Sequence, residues 1–204
     1  MPSWVWIAVF SCAAALCLIG IVSAKKQKPT AHRQMMLAML VAVYFVLSVT
    51  LSINLYWIRI SLDPLPILLA TLLYGPLGGM TVGLLGSFLN QLLTYGLTPT
   101  TILWMLPAVL RGASVGLMLG RGQPSRARLT AAIVVSSLLV TALNTLVMYI
   151  DSVVNGYYSY AYVFGGLVTR VVSGVLTALV LSVIVPPLVA LLRRTLPEAA
   201  EAKQ

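Results

Sequence analysis

Two apolar tracts, residues 65–74 and 77–94, meet at Gly75-Pro76 within the stretch RISLDPLPILLATLLYGPLGGMTVGLLGSFLNQLLTYG, residues 59–96. Glycine and proline at that junction predict the end of one helix and the start of the next. The first tract spans only about 15 Å at 1.5 Å per residue, half of a ~30 Å hydrocarbon core. Arg59 and Asp63, just upstream, are therefore expected at or below the membrane surface. Gly75, Gly79 and Gly83 recur every four residues, a small-residue track that lets helix backbones approach closely in lipid. Ser87, Asn90, Gln91 and Thr94 place polar groups at the far end of the second tract. A close-packed hairpin with one dry end and one polar end reads as the wall of a binding site.

Composition supports a membrane setting for that hairpin. Hydrophobic residues make up 60% of the chain and charged residues 8%, with mean hydropathy +0.99. Soluble domains carry roughly 25% charged residues, so the chain reads as an integral, all-α membrane protein. The net charge of +9 points to nucleic acid only until the basic residues are located. Of 13 Lys and Arg, all but Arg59, Arg111 and Arg170 fall in three runs, near 25–33, 121–128 and 193–203. Each run sits between or after apolar segments, as the positive-inside rule requires, and no nucleic-acid partner is expected. Cys12 and Cys17 share one apolar segment and imply no disulfide framework.

In order, residues 1–24 read as an extra N-terminal transmembrane helix, followed at once by Lys25-Lys26. Val22-Ser23-Ala24 resembles a cleavage site, but charges after the apolar run, and none before it, favour a retained anchor. Residues 25–34, with His32, form a cytoplasmic basic linker, and 195–204 a cytoplasmic tail. Between them, 35–194 is expected to be a six-helix, substrate-binding membrane domain. Its helices are expected at about 35–57, at the two tracts already described, at 100–120, at 129–150 and from 163 onward. Residues 58–64, 95–99 and 151–161 then lie outside, and 25–34, 121–128 and 193–204 inside.

Arg111 lies about 17 Å along its helix from Thr100, near the bilayer centre, and Arg170 about 10 Å below the outer surface. An arginine at mid-membrane costs at least ~2.5–3.5 kcal/mol on insertion scales, so it must face protein or water and have a partner. Two readings stay open. Arg111 is a structural clamp on Asp63, Asp151 or backbone carbonyls, or one or more of the arginines receives an anionic ligand. Helical spacing favours the ligand: Thr100, Trp104, Pro107 and Arg111 share one face, as do Thr141, Asn144, Met148 and Asp151. Gly166, Arg170 and Ser173 share a third face. Tyr157, Tyr158, Tyr160 and Tyr162 form an interfacial belt or a cover for a flat ligand. The candidate substrate-binding residues are Arg59, Asn90, Gln91, Trp104, Arg111, Asn144, Asp151, Tyr158 and Arg170. No membrane helix offers His, Asp or Glu ligands and no GxxxxGK[ST] loop occurs, so no enzyme, metal or cofactor is expected.

Over about residues 34–194 the chain resembles the substrate-binding S components of energy-coupling-factor (ECF) vitamin transporters. The resemblance rests on Ala38-x-x-x-Ala42, on Arg59-Ile60-Ser61 followed by Leu65-Pro66-Ile67, and on Tyr74-Gly75-Pro76-Leu77-Gly78-Gly79. The arginine, the following proline and the glycine-rich turn look most like the folate type. Where that type usually carries an acidic residue late in the third core helix, this chain has Ser87-Phe88-Leu89-Asn90. The resemblance implies a multi-pass protein of the bacterial cytoplasmic membrane that captures a vitamin-like small molecule, a folate-like anion being favoured. It further implies contact between Ala38 and Ala42 and a transmembrane coupling protein, driven by two cytoplasmic ATPases. The rival reading is a non-transporting scaffold of the rod-shape complex, similar in size and helix count.

Overall fold

The computed structural model describes residues 30–50, 52–55, 58–120 and 124–195. The helix expected at 1–24, most of the basic linker and the tail lie outside them. The described residues form α1 (Ala31–Thr50), β1 (Ser52–Leu55), β2 (Ile58–Ser61), α2 (Pro64–Thr94), α3 (Thr101–Leu119), α4 (Arg126–Val154), α5 (Tyr160–Phe164) and α6 (Leu167–Thr195). Five helical segments among them are long and apolar enough to cross a membrane. The protein is a nearly all-helical, multi-pass membrane protein.

The tracts either side of Gly75 make up α2, and they fold back on each other. Gly75 adopts φ 79° and ψ −174°, a left-handed backbone that side chains with a Cβ rarely enter. A Cβ on Gly79 would run into the hydroxyl of Thr71. Those residues would be about 12 Å apart along a straight helix, so the chain reverses at Gly75-Pro76. The first limb is buried on every side, from Pro66 through Tyr74. An apolar helix without a polar face belongs at the centre of a bundle, and the other helices pack around this one.

The second limb meets α3 along a seam of small residues in antiparallel register. A Cβ on Gly83 would lie 2.6 Å from the carbonyl oxygen of Ala108, and one on Gly112 2.6 Å from the amide nitrogen of Met80. A Cβ on Gly116 would lie 2.6 Å from the Cα of Pro76. Backbones this close gain dispersion contacts that larger side chains would prevent. The track expected at Gly79 and Gly83 thus meets a second set of small residues, Gly112 and Gly116 of α3, across one interface. Gly75 serves the reversal instead.

α1 lies against the second limb: the Tyr44 ring sits on Gly86, and its hydroxyl bonds Ser87 at 3.2 Å. The helix expected at 35–57 stops at Thr50. Its last part forms an antiparallel hairpin, with Ser52 opposite Ser61 and Asn54 opposite Arg59. Ile53, Ile58 and Ile60 favour strand, and the chain must turn back to reach Pro64. The paired strands satisfy each other's backbone N–H and C=O groups. β2 packs on α6, which places the end of the hairpin over the region described next.

Candidate functional site

α3, α4, α6, the end of β2 and the residues after it border an open cavity of about 250 Å³. From α4 come Ser137, Thr141 and Asn144, spaced four and three apart and so on one helix face. From α6 come Arg170, Ser173 and Thr177, again at steps of three and four. Arg111 enters from α3, and Ser61 and Asp63 from the end of the hairpin. Gly174 keeps α6 near α4; a Cβ there would lie 3.1 Å from the Thr141 hydroxyl.

The two arginines are held differently. Arg111 Nη1 donates to Ser137 Oγ at 3.3 Å. Arg170 Nε donates to the Gly166 carbonyl at 3.3 Å, Nη1 approaches Met148 Sδ at 2.8 Å, and Nη2 donates to the Val163 carbonyl. Among the described residues neither guanidinium forms an ion pair with a carboxylate. Asp63 borders the same cavity and accepts from the Ser61 hydroxyl. The fixed charges on the described lining are therefore two positive and one negative. A desolvated wall with surplus positive charge and five-donor guanidinium forks suits a carboxylate or similar anion.

Of the nine residues expected to bind substrate, Arg111, Asn144 and Arg170 line this cavity together. Arg59 lies in β2 opposite Asn54, and its side chain is outside what is described. Asn90 accepts from Thr94 at 3.2 Å, and the Gln91 carbonyl receives the Tyr95 amide, both at the partly exposed end of α2. Trp104 packs on the Leu103, Val147 and Ile150 cluster. Asp151 is buried and receives hydrogen bonds from Thr100, Asn155 at 2.9 Å and Tyr157. It staples the start of α3 to the end of α4. That bond from Tyr157 pushes its phenol well above the ordinary tyrosine value, so the hydroxyl stays a donor. Tyr158 stands edge-on to Tyr149, with centroids 5.5 Å apart. Ser137, Thr169 and Thr177 line the cavity without having been singled out, and Ser61, named only within the Arg59-Ile60-Ser61 motif, lines it too. Extending two stripes by one helical step, from Thr141 back to Ser137 and from Ser173 on to Thr177, would have found two of them.

Ala38 and Ala42 are exposed on α1 beside Met35, Met39 and Val43, while Leu40, Val41 and Tyr44 face inward. The alanines thus lie on a face turned away from the bundle.

No curated protein matches the chain. Among solved structures, one described as the S component of a bacterial ECF transporter superposes with TM-score 0.59 and 21% identity. That match covers 79% of this chain and 98% of that one, so the two share a fold. A sequence model for "ECF transporter, substrate-specific component" matches residues 33–189, which take in the small-residue seam, the hairpin and the whole described cavity. The chain belongs to the substrate-specific component family of ECF transporters.

Proposed function

We propose that this S component captures a vitamin-like anion outside the bacterial cytoplasmic membrane and delivers it inward with a coupling protein and two ATPases. The observation that carries the anion is the meeting of Arg111 and Arg170, from separate helices, at one polar cavity without a carboxylate ion pair among the described residues. Arg111, Arg170 and Asn144 are the residues assigned to the ligand. The exposed Ala38 and Ala42 face is assigned to the coupling protein, because small residues allow close helix approach. The folate type is supported only by the motifs near Arg59 and Gly75, and the described cavity lining carries no aromatic side chain to stack on a pterin.

The test is co-expression of the full chain with a coupling protein and its two ATPases, purification through a tag on this chain, and reconstitution into liposomes. A four-protein complex and ATP-dependent uptake of a labelled B vitamin are expected. A chain that folds yet joins no coupling protein overturns the reading.

A further inference from the structure

We infer that the apolar segment 1–24 packs as an antiparallel helix on the outward face of α1, a displaceable cover over the surface assigned above to the coupling protein. Its role as a cover rests on that assignment; the packing does not.

The face has the pattern of a helix-pairing seam. Leu40, Val41 and Tyr44 are the buried residues of α1 and face the bundle. On the other side Met35, Met39, Ala42, Val46 and Val49 are exposed. Their steps of four, three, four and three follow the 3.5-residue period of helices that cross at about 20°. Ala42, with Ala38 beside it, leaves a dip between the methionines and the valines where a second backbone can come close.

The segment before α1 carries the mirror image. Phe10, Ala13, Cys17, Gly20 and Ala24 recur at steps of three, four, three and four. Laid antiparallel with Ala24 at Met35, the two patterns stay in step. Gly20 then meets Met39, Cys17 meets Ala42, Ala13 meets Val46 and Phe10 meets Val49. Bulk is matched across that register: the two methionines face alanine and glycine, and the phenylalanine faces a valine. Large against small at each level is what close packing requires.

The connection sets the neighbour and the direction. Thr30 caps α1, its Oγ1 accepting from the Arg33 amide at 3.3 Å. The Arg33 guanidinium lies 5.5 Å from the centroid of the Tyr74 ring, and Nη2 donates to the Tyr74 carbonyl at 3.5 Å. This end of α1 is thereby tied to the bundle. Pro29 opposes a helix running straight from residue 24 into α1. Residues 25–29 can reach at most about 18 Å, and packed helices lie about 8–10 Å apart. Lys25, Lys26 and Lys28 hold the connection in the cytoplasm. A membrane helix on so short a tether returns beside α1, and α2 already occupies the inner side. The cover adds nothing to the core around α2, so it can give way to the coupling protein without unfolding the bundle.

The experiment oxidises the full chain in membranes with copper phenanthroline. One variant pairs native Cys17 with Ala42→Cys in a Cys12→Ser background. A second pairs Gly20→Cys with Met39→Cys, both native cysteines being replaced by serine. The control pairs Cys17 with Leu138→Cys, exposed on α4. A disulfide needs Cα atoms within about 7 Å, so it reports the register directly. Both seam pairs are expected to form an intramolecular disulfide at least tenfold above the control, read from linked peptides at monomer mass. The second variant is then incubated with the coupling protein and two ATPases, oxidised and reduced in parallel. The oxidised form should recover at least tenfold less coupling protein. Cross-linking no greater than the control at both pairs, or at dimer mass only, overturns the packing. Equal recovery by the two forms overturns the cover. If the reduced form also joins no coupling protein, the capture reading fails separately, and the cross-links still decide the packing.

Discussion

Gly112 and Gly79 meet backbone to backbone, close enough that a methyl group on Gly112 would press on the peptide that joins Gly79 to Met80. This contact sets the spacing between α2 and α3, and through α3 it sets how far Arg111 reaches into the cavity. Gly112→Ala overpacks the seam and is expected to cost about 1–3 kcal/mol. The readout is a lowered melting temperature in detergent, with Ile102→Ala at an exposed position as the control. Equal melting temperatures for the two variants would show that the seam yields without strain.

Arg111 and Arg170 are expected to differ when each is replaced by glutamine. Arg111 spends one bond on Ser137, whereas Arg170 ties the carbonyls of Val163 and Gly166, at the α5–α6 junction. Both variants should lose ligand affinity by roughly 2–5 kcal/mol, about 30- to several thousand-fold. Only Arg170→Gln should also lower the folded yield. Affinity equal to the parent in both would remove the arginines from the ligand site.

Ala38→Leu with Ala42→Leu adds bulk to an exposed face of α1 and none to the core. Ligand affinity and melting temperature should hold, while recovery of the coupling protein in a pull-down falls at least tenfold. Undiminished recovery would place the coupling contact elsewhere.

Asp151 is the acceptor that joins Thr100 on one side to Asn155 and Tyr157 on the other. Charge-assisted hydrogen bonds contribute about 1.5–3 kcal/mol each, so Asp151→Asn should lower the melting temperature without changing ligand affinity. Tyr157 has its phenol pKa raised by the same carboxylate. The bond made by the neutral phenol therefore contributes fully below about pH 10, the ordinary tyrosine value, and is lost only as pH rises beyond it. The melting-temperature gap between Tyr157→Phe and the parent should be the same at pH 6 and pH 8. A gap that shrinks between those values would mean another group titrates at the staple.

What could be read from the residues alone is what depends on neighbours along the chain. Apolar tracts long enough to span a bilayer, the reversal at Gly75-Pro76, the glycine spacing of the seam and the stripes through Thr141 and Asn144 and through Arg170 and Ser173 all follow from helix period and local backbone preference. The family was legible too, because its motifs lie within short stretches.

What the residues alone left open was which stripes converge. Helix rotation and depth depend on packing between residues far apart in sequence, and periodicity carries no information on them. That Asp151 of α4 accepts from Thr100 at the start of α3 is one such long-range pairing. Ser87 and Asn90 read as cavity wall, yet one bonds Tyr44 of α1 and the other Thr94 of its own helix. Residues 52–55, expected to continue the helix that runs to 57, instead pair with 58–61, expected in the outer loop, because Pro64 has to be reached again at the same end of the bundle. Arg111, Asn144 and Arg170 share one cavity because the small residues of α2 and α3 and Gly174 of α6 let four elements close around it. That is a long-range steric outcome, and only the tertiary structure decides it.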